Sequence, residues 1–276
     1  MQIRQNHPIN TPRGSKPQMP DREYILGGRV TPSTQQASMD WIFENAKAQR
    51  SKYVCFSTVH MIMEAYDSSD FRSILEEADF VITDGMPLKW VLNLLGHKKA
   101  ERVTAPDVSL LLCERAANEG VPVGFYGASP ETIENLVKNL KARYPKLNVV
   151  YHLSPPFRPL TPEEDAKIVA EINASGAQIL FMGLGCPKQE RWMNTHRGQV
   201  NAVMLGVGAT FDWHAGKNKR APQWVQNLGM EWFHRLLEEP KRLWKRYLNT
   251  NPRFVGLVTL QLLGLRKFSG LNKANS

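Results

Sequence analysis

The feature that most limits the fold of this chain is a rhythm. Short apolar runs at residues 53–57, 80–83, 121–126, 148–152, 179–182 and 201–206 recur about every 25 residues, with amphipathic stretches between them. Runs of that length read as strands buried on both faces. Strands that alternate with helices close as a parallel sheet with right-handed crossovers. The expected fold is therefore α/β, a mostly parallel, doubly wound sheet with helices on both faces.

The unit at residues 179–190, I-L-F-M-G-L-G-C-P-K-Q-E, shows the design most clearly. A buried strand empties into a Gly183-x-Gly185 turn, and Pro187 stands where a helix begins. Such a turn lets backbone approach a ligand, and the free N–H groups of the helix start favour an anion such as a phosphate. Lys188, Gln189 and Glu190 add a cation, an amide and a carboxylate within one turn. An ordinary strand-to-helix connection with a solvated helix surface fits the same residues.

The design recurs along the chain. After 80–83 comes Asp84-Gly85-Met86-Pro87, which places a carboxylate at the carboxyl end of a strand, where open α/β sheets bind ligands. Asp84 there is either a general base or the N-cap of a helix over 88–95. Gly127-Ala128-Ser129-Pro130 repeats the strand, turn and Pro-started helix, with Ser129 placed to cap and to contact a phosphate or ribose. Gly206 and Gly208 permit close backbone approach before Asp212, and 214–222 reads as a polar loop. The expected ligand edge thus collects Asp84, Ser129, Gln189 and Asp212. His60, near a helix start, reads first as a cap or packing residue. Arg102 suits a phosphate or an open surface, and Asp107 suits the cap of a helix through Ala117.

Composition excludes several classes. Of 276 residues, 42% are apolar and 22% charged, which are globular values. Cys55, Cys113 and Cys186 form no C-x-x-C pair and have no His at ligand spacing, so a reduced, cytoplasmic chain without structural zinc is expected. Residues 1–36 read as a flexible polar leader with no signal-peptide core, and no apolar run is long enough to span a bilayer.

The formal charge of +9 would suit nucleic acid if it were spread over the surface. Instead nine Lys/Arg against two Glu from Arg235 onward supply +7 of it, and no nucleic-acid partner is expected. Residues 37–230 therefore read as the α/β domain and 231–276 as a basic appendage. Leu236, Leu237, Leu243, Trp244, Tyr247 and Leu248 fall on one helical stripe beside Arg235, Arg242, Lys245 and Arg246, with Pro240 breaking the segment in two. That pattern suits an interfacial helix on anionic lipid. Packing on the domain or on a second subunit of a homo-oligomer is the other reading.

Five segments together resemble the WecG/TagA/CpsF family of bacterial glycosyltransferases, in the family's order over about residues 53–247. They are Thr83-Asp84-Gly85-Met86-Pro87, Gly183-Leu184-Gly185-Cys186-Pro187-Lys188-Gln189-Glu190, Gly206-Val207-Gly208-Ala209-Thr210-Phe211-Asp212, Arg220-Ala221-Pro222 and Glu231-Trp232-x-x-Arg235-Leu236. The resemblance implies a Rossmann-like fold and an inverting, metal-independent transfer of a hexose or N-acetylhexosamine-type sugar. The implied donor is a UDP-sugar, and the implied acceptor is a polyprenyl-diphosphate-linked glycan. It also implies a basic tail peripheral on the inner face of the membrane.

Carried over by position, Asp84 is the base and Gln189 a donor-sugar or acceptor contact. Arg102 is the arginine of E-R-V, and Arg235, Arg242 and Arg246 neutralise the UDP diphosphate. Gly127, Ser129, Gly183, Gly185, Gly208 and Asp212 join the donor side. Thr58, His60, Arg102, Asp107, Lys188 and Glu190 join the sugar or acceptor side. Thr58 stands where many members have asparagine and Ala105-Pro106-Asp107 where they have G-x-D, so donor preference and acceptor loop are the points of departure. The Thr58-Val59-His60 stretch favours an exopolysaccharide or capsule role. No cofactor and no D-x-D metal pair is expected. A nucleotide-cofactor oxidoreductase is the alternative within the fold class, but it lacks G-x-G-x-x-G after the first strand. An inactive membrane-binding module is the other alternative.

Overall fold

The computed structural model describes residues 21–266 and 268. Residues 1–20, 267 and 269–276, which include most of the expected leader and the end of the tail, lie outside the described residues. Where the leader enters the described part it folds. Strands β1 (Glu23–Ile25) and β2 (Gly28–Val30) pair antiparallel across Leu26-Gly27, both at positive φ. That is the geometry of a two-residue hairpin turn. Ile25, Leu26 and Val30 are buried, so a segment read as polar leader contributes to the core. Three residues per strand are too few to show a period in sequence.

The remaining elements alternate as expected. They are α1 (Gln35–Lys47), β3 (Lys52–Ser57), α2 (Val59–Asp67), α3 (Ser69–Glu77), β4 (Phe80–Thr83), α4 (Met86–Leu94), α5 (Ala105–Glu119), β5 (Val123–Gly127), α6 (Pro130–Arg143), β6 (Val149–Leu153), α7 (Pro162–Ser175), β7 (Ile179–Gly183), α8 (Lys188–Thr195), β8 (Val203–Gly206), α9 (Thr210–His214), α10 (Gln223–Asn227), α11 (Glu231–Glu238) and α12 (Pro240–Leu262). The six longer strands form one parallel sheet in the order β4-β3-β8-β7-β5-β6. Thr58, Ser68, Thr104, Ser129 and Thr161 cap their helices through side-chain oxygens, and Thr161 completes a capping box with Glu164.

Alternation along each strand divides the core in two. Tyr53 and Cys55 of β3 join a cluster with residues of α2, α3 and α7, while Val54 and Phe56 join one with residues of α1, α5 and α6. The sheet is therefore covered on both faces, which is why its strands carry no polar period. Every strand of the sheet runs the same way, so the loops that leave the carboxyl ends gather along one edge.

The carboxyl-terminal segment lies on this domain. Pro240 separates α11 from α12, as the sequence indicates. Leu243, Phe254 and Val258 of α12 are buried, and Arg253 forms a two-point pair with Asp67 at the end of α2. Gln261 bonds both Tyr24 and Leu26 in the hairpin. The single apolar stripe expected here therefore splits: Leu243 and Tyr247 turn inward, whereas Leu237, Trp244, Leu248 and Val255 stay exposed. Apolar residues on two sides of one helix satisfy packing and exposure together, a division that a helical projection alone does not reveal. No helix among the described residues is long and apolar enough to cross a membrane.

Candidate active site

The carboxyl edge of the sheet opens into a cleft of about 820 Å³. Its walls come from the ends of β3, β4, β7 and β8, the turn after β5, and helices α11 and α12. Among the described residues, no three His, Cys, Asp or Glu side chains converge as they would around a metal ion.

Asp84 lines this cleft. The amides of Asp84 and Gly85 donate to the carbonyl of Ser57 at 2.9 and 3.3 Å, which ties the end of β4 to the end of β3. The N-cap of α4 is Gly85, with no side-chain bond, so Asp84 does not cap that helix. Its Oδ2 instead accepts from the amide of Ala105 at 3.1 Å, the first residue of α5. Among the described residues no protein group bonds its Oδ1. Burial pushes this carboxyl up to about 6, against the pull of Arg102 and the Ala105 amide. A carboxylate with one oxygen anchored, one open and a pKa near neutrality can take up a proton at the cleft.

Two expectations about the neighbouring segment need correction. Thr104, not Asp107, caps α5, and it accepts from the Asp107 amide at 3.4 Å. Asp107 lies in the first turn, where its carboxylate is engaged by Arg220 and by the Thr104 hydroxyl at 2.5 Å. It is absent from the cleft wall. Arg102 is not an open surface residue; it lines the cleft while engaged by the protein. It donates to the carbonyl of Asp84 at 2.8 Å, to the carbonyl of Gln226 at 3.4 Å and to the carboxylate of Glu231.

The glycine turns serve different purposes. A Cβ on Gly127 would sit 2.6 Å from the carbonyl carbon of Gly183, and its φ is +123°. Gly127 is thus required for packing of β5 on β7 and does not line the cleft. Gly183 does line it, but a Cβ there would lie 2.4 Å from the ring of Phe211. Gly185, at φ +81° with open space around it, is where the turn itself needs glycine. Gly208 and Asp212 also face the cleft, Asp212 with Lys217 at 3.6 Å. Ser129 caps α6 and lines the wall at once.

Gln189 and Glu190 are not solvated helix surface. Gln189 is 3% exposed; it accepts from the Gly185 amide at 3.0 Å and donates to Glu190 Oε1 at 2.7 Å. Glu190 is fully buried, lies behind the wall rather than in it, and leaves Oε2 without a partner. Burial lifts its carboxyl to about 7. The expectation that Glu190 contacts a ligand is therefore corrected: it holds Gln189, which holds the turn. Lys188, one residue earlier, faces the cleft.

The tail completes the opposite wall with Arg235, Arg242 and Arg246. Arg235 lies 5.2 Å over the ring of Trp213, and Arg246 lies 5.4 Å over Tyr247. Arg246 Nε is buried without a partner. Arg242 pairs with Glu239 at 2.6 Å. Thr58 and His60 face these arginines from the start of α2. Burial, then Arg246, depresses His60 to about 4, so its imidazole is neutral at physiological pH.

The model of the family described as "Glycosyl transferase WecG/TagA/CpsF family" matches residues 23–268. The chain belongs to this family. It is accordingly a glycosyltransferase of cell-surface glycan synthesis.

In this WecG/TagA/CpsF glycosyltransferase the cleft contains residues that sequence reasoning did not single out. Phe157, 89% exposed, stands at its mouth in the proline-rich loop before α7. Trp213, Lys217 and Trp232 line it too. Glu231 lines the cleft and Arg220 lies just behind it, and both occur in the motifs that carry the family resemblance. Their position in those motifs was the available signal, but only the fold shows that they meet.

Proposed function

We propose that this glycosyltransferase is inverting and moves a hexose or N-acetylhexosamine-type sugar from UDP to a polyprenyl-diphosphate-linked acceptor. The reaction takes place at the cytoplasmic face of the cell membrane, in exopolysaccharide, capsule or wall-glycan synthesis. The observation that carries the reading is the placement of the Asp84 carboxylate and the guanidinium groups of Arg235, Arg242 and Arg246 on walls of the same cleft.

Inversion is one displacement. The open oxygen of Asp84 takes the proton of the acceptor hydroxyl as that oxygen attacks the anomeric carbon. The bond from the anomeric carbon to the β-phosphate oxygen breaks, its electron pair leaves with UDP, and the configuration inverts. Negative charge grows on the departing diphosphate, and the three arginines present fixed positive charge to it. The amino ends of α6 and α8, beside Ser129 and Lys188, add partial positive charge at the same edge. A donor seated along these ends places its sugar toward Thr58, His60 and Asp84.

Placing the cations on the tail makes the site incomplete without it. The exposed Leu237, Trp244, Leu248 and Val255 beside Lys241 and Lys245 suit contact with an anionic membrane, where a polyprenyl acceptor resides. The test is single-turnover transfer from a panel of UDP-sugars to polyprenyl-diphosphate-linked acceptors, with wild type beside Asp84→Asn. One productive donor, with the variant slowed by orders of magnitude while it still binds UDP, supports the assignment. An unimpaired variant removes Asp84 from the chemistry. Thermal stabilisation by UDP is expected beside it, and its absence counts against UDP as the sugar carrier.

A further inference from the structure

The tail begins at Glu231, the first residue of α11, and its carboxylate joins two arginines that come from other parts of the chain. Oε2 accepts from Arg102, and Oε1 accepts from Arg220 at 3.4 Å. Arg102 also holds the carbonyl of Asp84. Arg220 also reaches Asp107 at 3.0 Å and Thr104 at 3.1 Å. Those two residues belong to the start of α5, whose first amide holds the Asp84 carboxylate. Glu231 is thus linked to the base by two routes, one through Arg102 alone and a longer one through Arg220 and the start of α5.

Charge in this cluster does not balance. Asp84, Asp107 and Glu231 face Arg102 and Arg220, so one negative charge is left when every group is ionised. Asp107 and Glu231 each bond a guanidinium directly, but Arg102 reaches Asp84 only through its main-chain carbonyl. The surplus therefore falls on the Asp84 side chain. One turn further along α11, Arg235 enters the cleft, so the helix that brings Glu231 to the arginines also presents a cation to the ligand.

We propose that Glu231 is a positioning residue for the base: it engages Arg102 and Arg220, and so makes the proton affinity of Asp84 depend on the seating of the tail. This rests on Asp84 being the base. With α11 seated, the two guanidinium charges are shared among three carboxylates and Asp84 remains a strong enough base to accept a proton. With α11 displaced, Glu231 departs, both cations act on Asp84 and Asp107 alone, and Asp84 becomes the weaker base. Arg102 and Arg220 pull the Asp84 carboxyl down and Glu231 pushes it up, which is the direction this requires. His60, Lys188, Asp212, Lys217, Arg235, Arg242 and Arg246 line the same cleft and are unaltered by substitution at 231.

The test compares full-length wild type, Glu231→Gln, Glu231→Asp and Asp84→Asn across pH. Two readouts are used: kcat/KM for transfer, and the titration of the Asp84 carboxyl carbon by NMR without substrate, assigned by its loss in Asp84→Asn. Glu231→Gln is expected to shift both the acid limb and the carboxyl titration to lower pH by about half a unit. Glu231→Asp, which keeps the charge, is expected to restore them towards wild type. Unshifted titrations in Glu231→Gln, or an upward shift, overturn the proposal even if the rate falls, because a purely structural loss lowers the plateau without moving the limb. Should Glu231→Gln not fold, Glu231→Ala takes its place: a carboxyl titration shifted to lower pH supports the proposal, and an unshifted one overturns it. If Asp84→Asn turns over like wild type, the assignment of the base fails first, and the carboxyl titration still decides the coupling.

Discussion

Gln261, near the end of α12, accepts a hydrogen bond from the amide of Leu26 at 2.8 Å, and its own amide donates to the carbonyl of Tyr24 at 2.9 Å. A polar side chain inside an apolar stretch is thereby matched to two main-chain groups of the turn next to it. Replacing Gln261 with Leu leaves those groups unpaired, at a cost of about 1–3 kcal/mol. The expected result is faster hydrogen exchange in both the 23–30 hairpin and the second half of α12, with the sheet unaffected. Equal exchange in wild type and variant would count against this contact as the anchor of the tail.

Asp84 is held at a cost to the fold. Its folded pKa, about 6, lies above the 3.8 of a free aspartate, so the folded state binds the proton more tightly. Stability from this group is greatest below the free value and falls as pH rises from about 4 through about 6. Asp84→Asn removes that cost, and its melting temperature should exceed that of wild type at pH 7, with the difference vanishing below pH 4. A margin of about 1–2 kcal/mol is expected from about 1.4 kcal/mol per unit, reduced for partial exposure. Activity runs the other way: kcat/KM of wild type should fall as pH drops through about 6, because the base must be ionised, and the variant should lose about 10²–10⁴-fold. A pH–rate profile beside thermal melts at the same pH values checks both.

Arg246 lines the cleft beside a neutral His60, and its Nε is buried without a partner. Substitution by Met keeps an unbranched apolar side chain and removes the charged guanidinium that lies over Tyr247. UDP affinity is then expected to fall about 10–100-fold, the equivalent of one or two charge-assisted hydrogen bonds, with little change in melting temperature. Calorimetric titration with UDP measures it. An unaltered Kd would place the diphosphate elsewhere.

Gly183 tests packing rather than chemistry. Its Cβ would overlap the Phe211 ring, so Gly183→Ala should destabilise by about 1–3 kcal/mol, read from the urea midpoint. Phe211→Leu in the same chain, which trims the obstructing ring, should recover part of that loss. Full additivity of the two substitutions would show that the close approach is not what requires glycine.

Exposed Leu237, Trp244 and Leu248 form part of the tail's apolar outer surface. Changing all three to Ser should reduce flotation with anionic vesicles at least tenfold, at about 1.5–3 kcal/mol of apolar burial per large side chain. The melting temperature should change little, because these side chains are largely exposed. Undiminished flotation would shift the contact to charge alone.

The sequence by itself determined the sheet and its ligand edge. Strands 52–57, 80–83, 123–127, 179–183 and 203–206 were legible because a strand buried on both faces is a dense apolar run, and such runs depend on local order alone. Asp84 and Ser129 were legible because a strand end followed by Pro or Gly marks a loop at that edge. The hairpin at 23–30 was not, since its burial comes from α2, α3, α4 and β4 rather than from any period of its own. Only the tertiary structure decided which polar residues reach the cleft. Glu190 follows Gln189 in sequence yet is sealed behind it, because neighbouring residues on a helix point about 100° apart. Arg102, Arg220 and Glu231 span 129 residues of chain and meet around one carboxylate, and contacts at that separation exist only once the chain has closed on itself.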